Sequence, residues 1–253
     1  MNFDELDKKM RIYEQSIDQT ILPDLYLVAR LDGRSFTRLT KEVCQFEAPF
    51  DVRFRDMMVN TVKELMNCGF RVIYGYTESD EISLLFHPEE DAFGRKVRKY
   101  NSVLAGVAST AFSLQLGQPG IFDCRLIPLP NVQRVADYFL WRQEDAHRNA
   151  LNAHCYWALR KEGASVQEAT KMLEGKSVAF KNELLFQKGI NFNDTPSWQK
   201  RGIGICWKNV DKEGYNPIRQ EKVITTRREL AAECELPLRE EYAEFISGLL
   251  SKA

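Results

Sequence analysis

The chain has 253 residues, of which 44% are hydrophobic and 28% are charged, and its formal net charge is −1 at pH 7. This composition predicts a folded protein with a sizeable core and excludes a wholly disordered chain. Because the charge is balanced, any contact with nucleic acid has to come from a local basic patch.

Cysteine spacing and hydropathy narrow the class of protein further. The six cysteines are scattered, and no two of them have the C-x-x-C spacing that is typical of zinc or redox sites. The N-terminus is charged and lacks the apolar core of a signal peptide, and no apolar run approaches the roughly 20 residues that a membrane span needs. We therefore expect a reduced, cytoplasmic protein that has no membrane partner.

The first half of the chain alternates between strand and helix patterns. Apolar residues at helical spacing predict a helix over 2–20, and a buried strand follows over 24–32. The next patterns predict a helix over 51–67, a hairpin over 70–87, a helix over 92–116 and a strand over 122–128. This order is the split βαβ, or ferredoxin-like, arrangement, so we expect an α+β fold in which an antiparallel βαββαβ sheet carries its helices on one face.

The second half of the chain has a different pattern. One long helix or a broken pair is predicted over 131–161, with shorter helices over 165–173 and 176–185. Residues 187–222 are predicted to be rich in loops, with a candidate strand at 202–207, and 227–252 is predicted as an amphipathic helix that is interrupted at Pro237. We therefore divide the chain into a first part, 1–130, and a mainly helical extension, 131–253, that packs on it.

Three acidic residues stand at strand ends that this topology brings together. Asp32 ends the first strand beside Gly33, and Asp80 and Glu81 open the third strand. A right-handed crossover leaves room for the third strand beside the first, so the end of one lies next to the start of the other. Carboxylates this close repel each other unless a proton or a cation intervenes. The pattern favours two magnesium ions that assist phosphoryl transfer, and the alternative is that the acids only cap turns.

A basic run and two histidines are further candidates. The run from Arg95 to Lys99 opens a predicted helix, where cations and free N–H groups suit a polyphosphate; the alternative is a solvated basic face. His147 and His154 lie about 10 Å apart along a predicted helix, which is too far for one metal ion, and His154 is better explained as a hydrogen-bonded surface or core residue. The chain has no P-loop, no serine nucleophile elbow and no G-x-G-x-x-G motif.

Four ordered blocks of sequence, within residues 5–210, resemble the histidine-tRNA guanylyltransferase family. They are Asp32-Gly33-Arg34-Ser35-Phe36, the segment 75–81, the segment 141–147, and the segment 181–186. The resemblance implies that the first part, 1–130, is a catalytic domain like the palm of ordinary polymerases, but with elongation in the reverse, 3′–5′, direction. The 3′-hydroxyl of the incoming nucleotide then attacks an RNA 5′ end that is a triphosphate or has been adenylylated with ATP.

The resemblance also implies roles for individual residues. Two magnesium ions are held by Asp32, Asp80 and the carbonyl of Gly33, and Glu81 lies nearby and is needed for catalysis. The residues expected to contact the GTP or ATP substrate are Arg34, Ser35, Phe36, Ala48, Asp51, Ser79 and Lys99. Within this set, Ser79 and Lys99 match triphosphate-binding positions, and the region of Ala48 and Asp51 matches the contact with the activating base. The residues expected in tRNA handling or activation are His147, Lys181 and Asn182.

Residues 147–153 depart from the family pattern. Members that add guanosine to histidine tRNA carry His-Ile-Asn-Asn-Leu-Tyr-Asn, whereas this chain has His-Arg-Asn-Ala-Leu-Asn-Ala. This variation resembles the guanylyltransferase-like branch of bacteria and archaea, whose members look like template-dependent enzymes that rebuild truncated 5′ ends of tRNA. We therefore expect tRNA 5′-end repair. The resemblance also implies a homotetramer, because members of the family commonly assemble as tetramers.

Three alternatives to 5′-end repair remain open. They are guanosine addition to histidine tRNA, a two-metal nucleotide cyclase, and an RNA-binding module whose acids are only structural. Basic and aromatic residues in the second half of the chain favour a macromolecular substrate over a cyclase; they are Trp141, Arg142, Trp157, Trp198 and Lys200.

Overall fold

The computed structural model describes residues 2–216 and 221–252 and contains one antiparallel sheet of six strands. The strands are β1 (Tyr26–Gly33), β2 (Val72–Glu78), β3 (Glu81–Phe86), β4 (Phe122–Leu129), β5 (Ile203–Asn216) and β6 (Glu221–Glu233). Their order in the sheet is β4-β1-β3-β2-β5-β6. The first four strands therefore have the predicted ferredoxin-like order, and the α+β fold class is confirmed.

Helices surround this sheet. They are α1 (Phe3–Gln15), α2 (Phe36–Arg38), α3 (Val52–Met66), α4 (Val97–Leu116), α5 (Val132–Lys161), α6 (Val166–Leu173), α7 (Val178–Gln187), α8 (Ser197–Arg201) and α9 (Arg239–Ser251). Helix α5 is one continuous helix of 30 residues, which resolves the choice between a long helix and a broken pair. No helix in the described ranges is long and apolar enough to cross a membrane.

The two faces of the sheet carry separate cores. On β1, Leu27, Ala29 and Leu31 are buried against α3 and α4, as the predicted helices-on-one-face arrangement requires. Val28 points to the opposite face, which α5 and α9 of the extension cover. Because side chains alternate along a strand, Asp32 lies on the same face as Val28. The acidic strand ends therefore face the extension rather than α3 and α4.

The extension contributes strands as well as helices. Residues 203–216 form β5, which pairs with β2 and extends the sheet beyond the first part of the chain. The prediction of a helix from residue 227 is wrong for 227–233, which belong to β6; the helical part of the tail is α9. This segment is rich in good helix formers, but its pairing with β5 and the stacking of Arg228 on Trp207, 5.0 Å from cation to ring centre, favour the strand.

Candidate functional site

The ends of β1 and β3 bring the three predicted acids together. Asp32 is directly opposite Glu81 in the register of these strands, and the main-chain N–H of Gly33 donates to the carbonyl of Asp80 at 3.0 Å. Asp80 lies in the tight turn between β2 and β3. All three acidic side chains line one cavity. The juxtaposition predicted from topology is therefore confirmed.

Close packing behind the strand end explains the glycine at position 33. A Cβ atom on Gly33 would lie 2.6 Å from the ring of Phe36, a distance at which something has to shift. The Phe36 ring is buried between Phe112 and Phe122, with ring centres 5.0 and 4.9 Å away. The side chain of Phe36 is thus part of the core, and the expectation that it contacts a nucleotide can apply only to its main chain.

Arginine side chains form ion pairs with two of the three carboxylates. Arg142 of α5 donates to both oxygens of Glu81, at 2.6 and 2.9 Å, and Arg30 donates to the same carboxylate. Arg30 also reaches Asp32 at 3.2 Å, and Arg125 reaches the other oxygen of Asp32 at 2.7 Å. The Arg125 side chain is 59% exposed, so it can leave Asp32 when another cation arrives. Glu81, by contrast, is held from two sides in a largely buried setting.

Asp80 is the one of these three acids that has no arginine partner in the described part of the chain. In the described part of the chain no basic side chain pairs with it, and its side chain accepts only a 3.2 Å hydrogen bond from the Ser79 hydroxyl among side-chain donors. Burial raises the pKa of Asp80, and the nearby charge of Asp32 raises it further. A bound cation would relieve both the burial and the repulsion.

These acids fit magnesium in the way that enzymes commonly hold it. Across residues 2–216 and 221–252 there is no group of three or more acidic, histidine or cysteine side chains arranged to hold a metal ion. Mg²⁺ is usually bound by only one or two carboxylates together with substrate phosphates and waters. Asp32 and Asp80 can supply the two carboxylates of that donor set, and the unpaired charge on Asp80 is what such an ion would neutralise. The carbonyl of Gly33 is expected as a further ligand.

A fourth acid, Glu78, also lines the cavity. Burial raises the pKa of Glu78 to about 8, and the neighbouring charge of Glu81 adds to the effect, although Arg142 opposes it. Arg142 is its hydrogen-bond partner, at 3.2 Å. Near neutral pH this carboxyl group is therefore largely protonated, so it adds little negative charge to that of the other three acids in the cavity lining.

The cavity of about 400 Å³ is lined by two chemically different groups of residues. One group is the acids, and the other combines aromatic rings with cations. In the second group the Arg55 guanidinium lies 5.0 Å from the ring of Trp198, and the Lys41 ammonium lies 5.2 Å from the ring of Trp157. Phe50 packs against Trp198. Aromatic faces suit nucleobases and the cations suit phosphates, so the cavity has the size and chemistry for a nucleotide.

Ser79, Ala48 and Asp51, three of the expected nucleotide contacts, also line this cavity. The Asp51 carboxylate, however, caps the start of α3. It accepts hydrogen bonds from the N–H groups of Glu47 and Arg53, at 2.8 and 2.7 Å, and from the Arg53 side chain. These bonds hold the pKa of Asp51 well below its usual range. Little of this carboxylate is left to contact a base.

The remaining predicted nucleotide contacts are not part of the lining of this cavity. The described lining residues do not include Arg34, Ser35, Phe36 or Lys99. In the basic run, Lys96 and Arg98 pair with Asp18, and the Lys99 ammonium lies 5.7 Å from the ring centre of Phe93. Two cations of the run are thus already neutralised within the chain, which weakens the expectation that the whole run binds a polyphosphate.

The residues expected in tRNA handling lie on the extension and also outside the cavity. The ring of His147 packs against Phe192, with ring centres 5.4 Å apart, and its buried Nδ1 has no partner among the described residues. Lys181 and Asn182 belong to α7, where the side chain of Asn182 donates to the Val178 carbonyl at 3.1 Å. His154 is hydrogen-bonded to Gln199 at 3.1 Å, as predicted.

Sequence reasoning did not identify the arginines that contact the acids as partners of those acids. A signal for Arg30 was available, because it is the single charged residue within the apolar run 25–31, and a charge in a buried strand requires a partner. Arg125 and Arg142 are far from the acids in sequence. Only the packed fold identifies them as partners.

Comparison with known proteins places this geometry in a family. Residues 7–130 match the family model described as tRNAHis guanylyltransferase, and residues 133–243 match that described as Thg1 C terminal domain. A tRNA(His) guanylyltransferase of Debaryomyces hansenii is 33% identical over 227 residues, which cover 84% of this chain and 85% of the relative. One of Neurospora crassa is 36% identical over 206 residues, covering 76% and 69%.

Solved structures give the same result. A bacterial tRNA(His) guanylyltransferase (Thg1)-like protein in complex with GTP superposes with a TM-score of 0.74 at 25% identity, covering 97% of this chain and 99% of that chain. The tRNA(His) guanylyltransferase of Saccharomyces cerevisiae superposes with a TM-score of 0.69 at 26% identity, covering 85% and 95%.

Proposed function

Because the chain belongs to the tRNAHis guanylyltransferase family, we propose that it is a magnesium-dependent nucleotidyltransferase that adds nucleotides to the 5′ end of tRNA in the 3′–5′ direction. The observation that carries the proposal is the meeting of Asp32 and Asp80 in the lining of a nucleotide-sized cavity. In this account residues 1–130 are the catalytic part and 131–253 pack on it.

Two groups of residues in the cavity lining have separate roles in the reaction. Asp32, Asp80 and the carbonyl of Gly33 would hold two magnesium ions, which would neutralise the charge of the phosphates and of the leaving group. Ser79 lies beside these acids to contact the triphosphate, while Trp198 and the other aromatic rings hold a base.

The chemical step is a substitution at phosphorus. The 3′-hydroxyl oxygen of the incoming nucleotide attacks the α-phosphorus of the activated 5′ end, and a new P–O bond forms. The bond to pyrophosphate breaks when the end is a triphosphate, and the bond to AMP breaks when the end was adenylylated by ATP. The proton of the hydroxyl group leaves to solvent. Positioning and electrostatic stabilisation supply most of the acceleration in such transfers.

The departure at residues 147–153 supports template-dependent repair of truncated tRNA rather than guanosine addition restricted to histidine tRNA. We expect tRNA to contact the extension through His147, Lys181 and Asn182. We also expect a cytoplasmic homotetramer, in keeping with its family and its tRNA substrate. The GTP complex of the bacterial relative supports a nucleoside triphosphate as the second substrate.

The experiment that tests the proposal uses purified protein, magnesium, all four nucleoside triphosphates and a tRNA transcript that lacks its first 5′ nucleotide. Four versions of this transcript differ only in the base that would pair with the missing nucleotide. We expect each to be lengthened at its 5′ end by the complementary nucleotide. Addition of guanosine to histidine tRNA alone would favour the histidine-specific reaction, and a cyclic nucleotide as the product would favour a cyclase. No product in any reaction would overturn the proposal.

A further inference from the structure

Arg142 makes an unusual set of contacts for a residue of the extension. Its side chain is only 3% exposed, and it donates to both oxygens of Glu81, to Glu78 at 3.2 Å and to Asp145 at 3.0 Å. The indole of Trp141 lies 4.6 Å from the guanidinium carbon. A single cation from α5 thus holds three carboxyl groups, two of which belong to the first part of the chain.

This guanidinium is connected to the acidic strand ends through a chain of contacts. Arg142 fixes both oxygens of Glu81, Glu81 accepts a hydrogen bond from Arg30, and Arg30 reaches Asp32 at 3.2 Å. The planar fork of an arginine defines the orientation of a carboxylate in a way that the point charge of a lysine does not. The orientation of Asp32 is therefore tied to a residue 110 positions further along the chain, on a different layer of the fold.

We propose that Arg142 is a positioning residue for nucleotidyl transfer: it orients Glu81, and through Arg30 it orients Asp32, so that the catalytic acids are aligned only when α5 is docked on the sheet. This inference rests on the proposed function and deepens it. Arg142 needs no contact with substrate in this role. Its removal impairs the chemical step because the acids lose their alignment, and small misplacements of reacting groups are costly.

Two variants distinguish this positioning role of Arg142 from a purely structural role. In Arg142→Lys the positive charge remains, but the planar guanidinium group that donates to both oxygens of Glu81 is lost. In Arg142→Ala the guanidinium site opens onto the cavity that Arg142 lines, so that added guanidinium ion can refill it. The matched control is Arg134→Lys on the same helix, whose exposed ion pair with Asp137 lies outside the described cavity lining.

The measurement is 5′-end extension of the truncated tRNA under saturating tRNA and magnesium, with the melting temperature of each variant recorded. We expect kcat of Arg142→Lys to fall on the order of 10- to 100-fold, with a KM for nucleotide close to that of the wild type. We expect millimolar guanidinium ion, but not the neutral analogue urea, to restore part of the activity of Arg142→Ala. Arg134→Lys should match the wild type.

Several results would overturn the inference. One is a folded Arg142→Lys variant with wild-type kcat, and another is a loss of activity that follows the melting temperature alone. If Arg142→Ala is folded but gains nothing from guanidinium ion, or gains equally from urea, the inference also fails. Should Arg142→Ala not fold, the kcat and KM of Arg142→Lys decide the question. A wild-type protein without any transfer would overturn the proposed function itself and this inference with it.

Discussion

Asp32 faces Glu81 across the β1–β3 ladder, and the side chain of Arg30 contacts both carboxylates. This arrangement makes the three acids unequal. Glu81 pairs with two largely buried arginines, Arg30 and Arg142. Asp32 pairs with an exposed arginine, and Asp80 has no basic partner in the described part of the chain. Because their partners differ, the acids and the residues around them should respond differently to substitution.

If Asp32 holds magnesium as proposed, Arg125 should compete with the ion for this carboxylate. Its contact with Asp32 Oδ2, at 2.7 Å, is made by a largely exposed side chain, and an exposed ion pair is worth about 0.2–1 kcal/mol. Replacement of Arg125 by Gln should therefore lower the magnesium concentration that gives half-maximal transfer by about 1.4- to 5-fold. A magnesium titration of the extension reaction measures this, with Arg134→Gln as the control. An increase in the magnesium requirement would show that Arg125 assists the site instead.

Glu78 makes stability depend on pH. Burial raises its pKa to about 8, whereas a glutamate in an unfolded chain titrates near about 4.3. The folded state holds the proton more tightly, so the stability from this group is full below the unfolded pKa and is lost as the pH rises through 8. Replacement of Glu78 by Gln, which cannot ionise, should therefore raise the melting temperature relative to the wild type increasingly from about pH 5 to about pH 9.

Thermal unfolding in EDTA measures this difference without interference from divalent ions. Each 1 kcal/mol corresponds to about 2–4 °C for a chain of this size. If the two melting curves kept a constant separation across the pH range, the raised pKa of Glu78 would be refuted.

Phe36 should prove to be a core residue and not a nucleotide contact. Its side chain is 2% exposed and packs among aromatic rings, so Phe36→Ala should cost about 3–5 kcal/mol of unfolding free energy. The control is Phe3→Ala on α1, where the side chain is 78% exposed and the cost should stay within about 0.5 kcal/mol. Urea unfolding of both variants gives the comparison. A stable Phe36→Ala protein with a raised KM for nucleotide would restore the original expectation.

Asp51 should likewise contribute to the stability of the fold, because its side chain caps the N-terminus of α3. Asp51→Ala removes the hydrogen bonds to the N–H groups of Glu47 and Arg53, and loss of such a cap costs about 0.5–2 kcal/mol. Asp51→Asn keeps an acceptor oxygen and should cost less. The free energy of unfolding and the KM for ATP of both variants distinguish this role from contact with the activating base, which would raise KM and leave stability unchanged.

Local patterns in the sequence were enough to predict β1 to β4 and the meeting of the acids. The apolar run before Asp32 and the hairpin before Asp80 are strong signals, and the handedness of crossovers fixes the strand order. The neighbourhood of Asp32 and Glu81 follows from that order alone, and their register confirms it. Long-range topology was predictable here because short segments with clear periodicity determine it.

The partners of the acids and the β5–β6 ribbon were not predictable in the same way. Residues 208–216 and 221–229 carry many charged side chains and no apolar alternation, because much of this ribbon pairs only with itself. Without a buried face there is no pattern of period two to detect. Arg142 was identified as part of a family block, but its contact with Glu81 depends on how α5 packs across the sheet.

Asp80 should be a carboxylate that is used in magnesium-dependent nucleotidyl transfer. Two asparagine variants test this role most directly in the extension of 5′-truncated tRNA. Asp80→Asn removes the negative charge that has no basic partner in the described part of the chain. Asp123→Asn removes an exposed carboxylate that is opposite Asp32 on β4 and outside the described cavity lining. We predict that Asp80→Asn loses on the order of a thousandfold or more in kcat while it still binds tRNA, and that Asp123→Asn remains active. Full activity of a folded Asp80→Asn protein would contradict the account.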